Sequence, residues 1–151
     1  MKAKDEALAV GMPTYRDLGG TSARVIPTPC FNVVNGGAHA ANSIDTQEFM
    51  IGPGGLPSFK EALRAGVEVY HSLKDVLSSS GLPTNVGDEG GFAPDLPGDR
   101  EVLDVLSEAI ENAGYKVGED ISFALDVAAT ELYKDVSYEL SGATLSSAEM
   151  V

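Results

Sequence analysis

The string Gly87-Asp88-Glu89-Gly90-Gly91 sets two adjacent carboxylates between glycines, flanked by the apolar Val86, Phe92 and Ala93. Carboxylates so placed cost solvation unless they hold a metal, a proton or a partner. One reading is a carboxylic acid on a backbone that bends close to a ligand; the other is an exposed acidic turn. Glu48 is a second candidate, a charge followed by Phe49, Met50 and Ile51, on a strand whose alternation places it on the face of Thr46 and Met50. A solvated strand position is the plainer account of it. Two glutamates brought into one cleft disfavour double ionisation, so that one keeps a proton and can serve as a general acid.

Asp126 stands in Leu125-Asp126-Val127-Ala128, a carboxylate near the end of an apolar run, as a metal ligand at the end of a buried barrel strand would be. Capping of the following Ala128-Ala129-Thr130-Glu131 turn is the structural alternative. His39 follows Asn35-Gly36-Gly37-Ala38, where glycines can act as a hinge and the imidazole as a hydrogen-bonding group. His71, beside Tyr70 in a helical pattern, reads as a helix-surface residue, and Cys30 reads as a small core residue of a strand. The sequence carries no recognisable Walker loop, dinucleotide fingerprint or Ser-His-Asp arrangement.

These residues need elements to position them. Residues 3–10 read as a short helix stopped by Gly11 and Pro13, and Asp17-Leu18-Gly19-Gly20 as a turn. Cys30 to Val34 reads as a strand ended by Asn35-Gly36-Gly37, and Ile44 to Ile51 as a second strand ahead of Gly52-Pro53-Gly54-Gly55. Ser58 and Glu61 form a capping box that opens a helix with Phe59, Leu63, Val67, Tyr70, Leu73 and Leu77 on one face, ended at Gly81. Asp99 can cap a second helix, with Val102, Leu103, Leu106, Ile110 and Ala113 on one face and Gly114 as terminator. Ile121 to Ala128 reads as a buried strand. Ser146 and Glu149 form another capping box just before Val151, and a helix that nucleates without propagating is unstable.

Strand, strand, helix, helix, strand is an α/β order, and 151 residues fall short of the roughly 250 of a closed (β/α)8 barrel. A partial barrel, shortened relative to the fold it was selected for, is the expectation. Lys and Arg total 10 against 23 Asp and Glu, a formal net charge of -13. Residues 1–75 hold 8 acids and 7 bases, and residues 76–151 hold 15 acids and 3 bases, so the second half carries nearly all of the excess. Such a chain repels nucleic acid and anionic membrane surfaces and favours cations. A single cysteine excludes an internal disulfide, and no apolar run approaches the roughly 20 residues of a membrane span. A cytoplasmic protein is expected.

Taken in order, Pro29-Cys30-Phe31-Asn32-Val33-Val34-Asn35-Gly36-Gly37-Ala38-His39-Ala40, Thr46-Gln47-Glu48-Phe49-Met50-Ile51, Val86-Gly87-Asp88-Glu89-Gly90-Gly91-Phe92-Ala93-Pro94 and Ala124-Leu125-Asp126-Val127-Ala128 closely resemble the enolases. The resemblance runs over practically the whole chain. It implies that residues 1–24 are the end of an N-terminal domain with its linker, a short helical connector. Residues 25–151 would then be the first part of an enolase-type (β/α)8 barrel that opens strand-strand-helix-helix.

The implied activity is phosphopyruvate hydratase, a glycolytic lyase that converts 2-phosphoglycerate to phosphoenolpyruvate and water with Mg2+. By the same resemblance Glu89 is the general acid that assists departure of the 3-hydroxyl, with Glu48 in its network. His39 and Gln47 contact substrate, together with Glu48, and Asp126 is one Mg2+ ligand. The base lysine, the other two carboxylate ligands, the later substrate-holding lysine and arginine, and the serine-bearing loop have no counterpart here. The chain is therefore expected to be inactive alone, completed by a complementary chain or by copies of itself. The alternative is a noncatalytic binding or scaffold product of a truncated gene.

Overall fold

The computed structural model describes residues 2–150, so Met1 and Val151, the outer bounds of the two expected segments, lie outside it. The chain begins with α1 (Lys2–Ala9) and α2 (Thr14–Gly19), the latter running straight into a single 3-10 turn at Gly20–Ser22. The turn expected at Asp17 to Gly20 is thus mostly helix: Arg16 and Asp17 both donate their amides to the Pro13 carbonyl, and the chain reverses only at Gly20, with φ +64°.

Next come β1 (Phe31–Asn35), β2 (Glu48–Gly52), α3 (Phe59–Ser79), α4 (Asp99–Asn112) and β3 (Ser122–Asp126), the strand-strand-helix-helix-strand order expected. The three strands form one antiparallel sheet with β2 in the centre. The chain then adds α5 (Ala129–Leu132) and the two hairpins β4 (Tyr133–Lys134), β5 (Ser137–Leu140) and β6 (Ala143–Leu145), a second small sheet that the sequence patterns did not announce. The architecture is mixed α/β, and among the described residues neither sheet closes into a barrel. No described helix is long and apolar enough to cross a membrane.

Phe49 and Ile51 turn one face of β2 into the core, where they meet Val34, Ala65, Val69 and Leu73. β1 carries a bulge between Asn32 and Val34, which lets Val33 and Val34 both be fully buried. Helix α3 buries Ala62, Ala65, Gly66, Val69, Leu73, Val76 and Leu77, against the sheet and against α4. Of the face expected from Phe59, Leu63, Val67, Tyr70, Leu73 and Leu77, the last two are fully buried and Tyr70 packs against the core, whereas Phe59, Leu63 and Val67 are about half exposed, at 44%, 45% and 48%. In the first turns small residues face inward because they allow close approach: a Cβ on Gly66 would collide with the Phe31 ring.

The Ser58 hydroxyl accepts from the Glu61 amide at 3.2 Å, a cap worth about 1 kcal/mol. The return half of the capping box is not made, because the Glu61 carboxylate accepts from Arg64 instead. Asp99 does not cap α4. Gly98 occupies the cap position and Asp99 opens the helix, accepting from the Thr46 hydroxyl at 2.5 Å.

Three further expectations are corrected. Residues 44–47 are not strand: Ile44 and Thr46 are buried, and the Ile44 and Gln47 carbonyls accept from the Gly37 and Gly36 amides of a turn instead of from a ladder partner. Residues 122–126 form a strand, but one with an exposed and half-buried pattern, since β3 is the sheet's edge and Leu125 remains 46% exposed. Cys30 is exposed and precedes β1 instead of joining the core.

Where α4 ends, Tyr115 donates to the Glu68 carboxylate and so ties the two long helices together. Glu68 is held below the usual carboxylate range by the Tyr115 hydroxyl and then by Arg64, while burial and then Glu68 push Tyr115 above the usual phenol range. A lowered carboxylate stabilises above its unfolded value and loses that contribution as pH falls through its folded value; a raised phenol stabilises below its unfolded value and loses that as pH rises through its folded one. Tyr115→Phe should therefore flatten the stability profile on both limbs, below about pH 4 and above about pH 10. Urea midpoints across pH test this, and a profile that keeps its shape would count against the link.

Candidate active site

The register of the first sheet places Asn35, Glu48 and Asp126 in one row across β1, β2 and β3, and Asn32, Met50 and Ala124 in the next. Side chains directly opposite in a sheet share a face, so the polar face stands opposite the one that carries Phe49 and Ile51. Two carboxylates, Glu48 and Asp126, are thereby cross-strand neighbours.

The segment Val86 to Phe92 is laid against the end of β1. Phe92 donates its amide to Val33 and accepts from Asn35, at 2.9 and 2.8 Å. Gly91 donates to Asn35 Oδ1 at 2.9 Å, and Asp88 donates to the His39 carbonyl at 3.3 Å. Glycine is required for this approach. A Cβ on Gly91 would lie 2.7 Å from Asn35 Oδ1 and 2.9 Å from the Val33 backbone, and one on Gly87 would lie 2.8 Å from the His39 carbonyl oxygen. Gly87 and Gly91 thus serve backbone packing, whereas Gly90 supplies a positive φ of +87°. The carboxylates themselves project from an exposed turn, as the plainer reading of this string has it.

His39 ends a 3-10 turn (Gly37–His39) whose start is pinned by Gly36 and Gly37 amides donating to the Gln47 and Ile44 carbonyls, at 3.0 and 2.7 Å. Glu48 is the first residue of β2 and Glu89 the tip of the acidic turn. One ligand atom of each of these three residues lies within 4.8 Å of the other two. His39 Nδ1 stands 3.6 Å from Glu48 Oε1, too far for a hydrogen bond, and is buried with no partner. Three of the five expected site residues are therefore brought together.

The other two lie beside them. Gln47 is half-buried one residue ahead of β2. Asp126 faces Glu48 across the sheet but is outside the trio. Its Oδ1 accepts from the Ala128 amide at 2.9 Å, which is the structural alternative in a modified form, because the cap position of α5 is Ala128 at φ +50°. His71 is exposed on α3, as expected.

Four residues that hold the site carried only weak signals in the sequence. Asn35 is fully buried, and its Nδ2 donates to Asn32 Oδ1 at 3.2 Å. Asn42 donates to the carbonyls of Asn35 and Pro94 at 3.0 and 2.9 Å, closing the loop after His39 onto the segment after Phe92. Tyr70 stacks on Phe92 with centroids 4.5 Å apart and donates its hydroxyl to the Gly90 carbonyl at 2.9 Å. Burial raises the Tyr70 phenol above its usual range, so it remains a donor. An asparagine within an apolar run and ahead of Gly-Gly was the one available hint.

A single row of sheet positions, an imidazole and two glutamates from three segments now agree with the motif spacing. The family model of the enolase C-terminal TIM barrel domain matches residues 23–150. The chain belongs to the enolase family. Its enolase-family barrel segment includes every residue of the trio and of the Asn35 network.

Asn35→Ala should cost about 1–3 kcal/mol, because it strands the Gly91 amide, whereas Tyr70→Phe should cost only about 0.5–1.5 kcal/mol. Urea unfolding measures both. An Asn35→Ala chain as stable as the parent would show that the turn does not depend on this bond.

Proposed function

We propose that this chain carries the acid side of a phosphopyruvate hydratase site, in which 2-phosphoglycerate loses water to give phosphoenolpyruvate. The observation that supports the reading most directly is the convergence of His39, Glu48 and Glu89, within 4.8 Å, at one end of the first sheet. Glu89, on the exposed tip of the turn, hands a proton to the departing 3-hydroxyl. Glu48 shares that cluster and holds the hydrogen-bonding direction of the acid. His39 and Gln47, in the loop between β1 and β2 and at the entry to β2, orient the substrate.

Asp126 suits Mg2+ as one ligand: Oδ1 is engaged by the Ala128 amide, and the second carboxylate oxygen remains for a hard cation. Bound there, Mg2+ would supply positive charge to the ene-diolate formed when a base removes the proton next to the substrate carboxylate. No lysine of this chain takes the base's place in that reading. Lys2 and Lys4 lie on α1, Lys60 and Lys74 on α3, Lys116 just beyond α4, where it pairs with Glu119, and Lys134 on β4 of the second sheet. The remaining residues do not recover a lost transition-state base.

The division into a connector over 1–24 and a barrel segment over 25–151, and a cytoplasmic setting, belong to this same reading. Completion by a complementary chain or another copy fits the exposed edge of β3, since an unpaired strand edge is a template for pairing. That edge also favours the second reading, a noncatalytic binding module.

The purified chain with 2-phosphoglycerate and Mg2+ should give no rise in phosphoenolpyruvate absorbance above that of its Glu89→Gln variant. Turnover that the variant abolishes would mean that a complete site forms and would sink the claim of a missing base.

A further inference from the structure

One dipeptide at the end of β1 carries a reactivity that the site chemistry does not use. Of the five asparagines in the chain, at 32, 35, 42, 85 and 112, only Asn35 precedes a glycine. Glycine lacks the Cβ that shields other backbone amides, so the Gly36 nitrogen is the one best able to attack a preceding asparagine side chain. In that step a bond forms between the Gly36 nitrogen and Asn35 Cγ, the Cγ–Nδ2 bond breaks, and ammonia leaves with the amide proton. Water then opens the five-membered imide at one of its two carbonyls, which leaves aspartate or isoaspartate. The sum is amide plus water giving acid plus ammonia, with no oxidant or other co-reactant.

The native structure withholds what this reaction needs. Asn35 is fully buried, away from water. Its Oδ1 accepts from the Gly91 amide at 2.9 Å and its Nδ2 donates to Asn32 at 3.2 Å, which fixes the side-chain amide in place. The Gly36 nitrogen already donates to the Gln47 carbonyl at 3.0 Å. Packing closes the remaining room: a Cβ on Gly87 would lie 2.9 Å from Asn35 Cβ, and one on Gly36 would lie 2.5 Å from the Thr46 carbonyl oxygen. The groups that restrain Asn35 thus come largely from the acidic turn. Release of that turn frees the side chain without unfolding the helices, and local openings of this kind cost less than global unfolding.

We propose that Asn35-Gly36 is a latent deamidation site whose rate is set by local opening of the acidic turn, residues 86–92. The change runs one way. A carboxylate at position 35 cannot donate to Asn32 Oδ1, and it stands in one row with Glu48 and Asp126, three acids across three strands. Isoaspartate also lengthens the main chain at the end of β1, where Asn35 pairs with Glu48. Each opening thus exposes the polar face to permanent damage, whether or not that face supports the lyase reaction.

The test incubates the whole chain in mildly alkaline buffer, native and in guanidinium chloride, and follows each asparagine by peptide mapping with mass spectrometry. In denaturant Asn35 should convert ahead of the other four, and Gly36→Ala should remove most of that reaction. The native chain should convert Asn35 more slowly, on the order of tenfold or more. Tyr70→Phe, which frees the Gly90 carbonyl, should raise the native rate severalfold, whereas Tyr115→Phe, in the link between the two long helices, should not. The comparison of native and denatured parent chain stands even if a variant misfolds. Equal rates in the two states, another asparagine reacting ahead of Asn35 in denaturant, or equal acceleration by both tyrosine variants would each overturn the proposal. None of these outcomes depends on whether 2-phosphoglycerate is turned over.

Discussion

Asn35 uses every polar group it owns inside the protein. Its amide donates to Phe92, its carbonyl accepts from Asn42, its Oδ1 accepts from Gly91 and its Nδ2 donates to Asn32. A buried amide side chain is costly when any of these bonds is missing and specific when all are made. This one residue at the end of β1 therefore decides where three separate stretches can lie: the loop after β1, the acidic turn, and the neighbouring position on β2 that Glu48 fills. The glycines at 36, 87 and 91 are the complement of the same constraint, since side chains there would collide with backbone or with Asn35 itself.

The helices enter through that node. Tyr70 reaches from α3 to the Gly90 carbonyl and lies flat on Phe92, so the position of Glu89 is referred to the long helix as well as to the sheet. On the other side, Thr46 donates to Asp99 at the start of α4, and Ser43 donates its hydroxyl to Asp95 at 2.6 Å. The segment between β1 and β2 thus gains its order from polar contacts with residues far along the chain, without belonging to any long regular element.

Much of this was legible in the residues. Asn-Gly-Gly ends β1, Ser58 caps α3, Gly114 with φ +86° stops α4, and the Gly-Asp-Glu-Gly-Gly string does carry two exposed carboxylates. What escaped had physical reasons. The first turns of α3 bury Ala62, Ala65 and Gly66, whose small size carries little hydrophobic signal, while the larger Phe59, Leu63 and Val67 stay half exposed; further along, Leu73 and Leu77 are buried as their spacing predicted. The Asp135-Val136 turn has two residues at positive φ, a place where glycine or asparagine would have been the marker and a β-branched valine conceals it. Ile44 to Gln47 had the alternation of a strand but no neighbour to pair with. Gln47 and Asp126 lie beside the trio, and only the register could show that Asp126 stands opposite Glu48.

The order of strands in the first sheet also sets a sequence of events in folding. β1 and β2 are joined by residues 36–47 and can meet before β3, which reaches β2 only after α3 and α4 have been traversed. Closing the longer loop costs more chain entropy and comes later unless the helices have already packed. The Glu48–Asp126 neighbourhood is then the last part of the polar face to assemble, and the repulsion between those two carboxylates falls on the step that seats the edge strand. Acidity or a cation in the medium would ease that step, so the rate at which the sheet is completed becomes a property of the solution as much as of the chain.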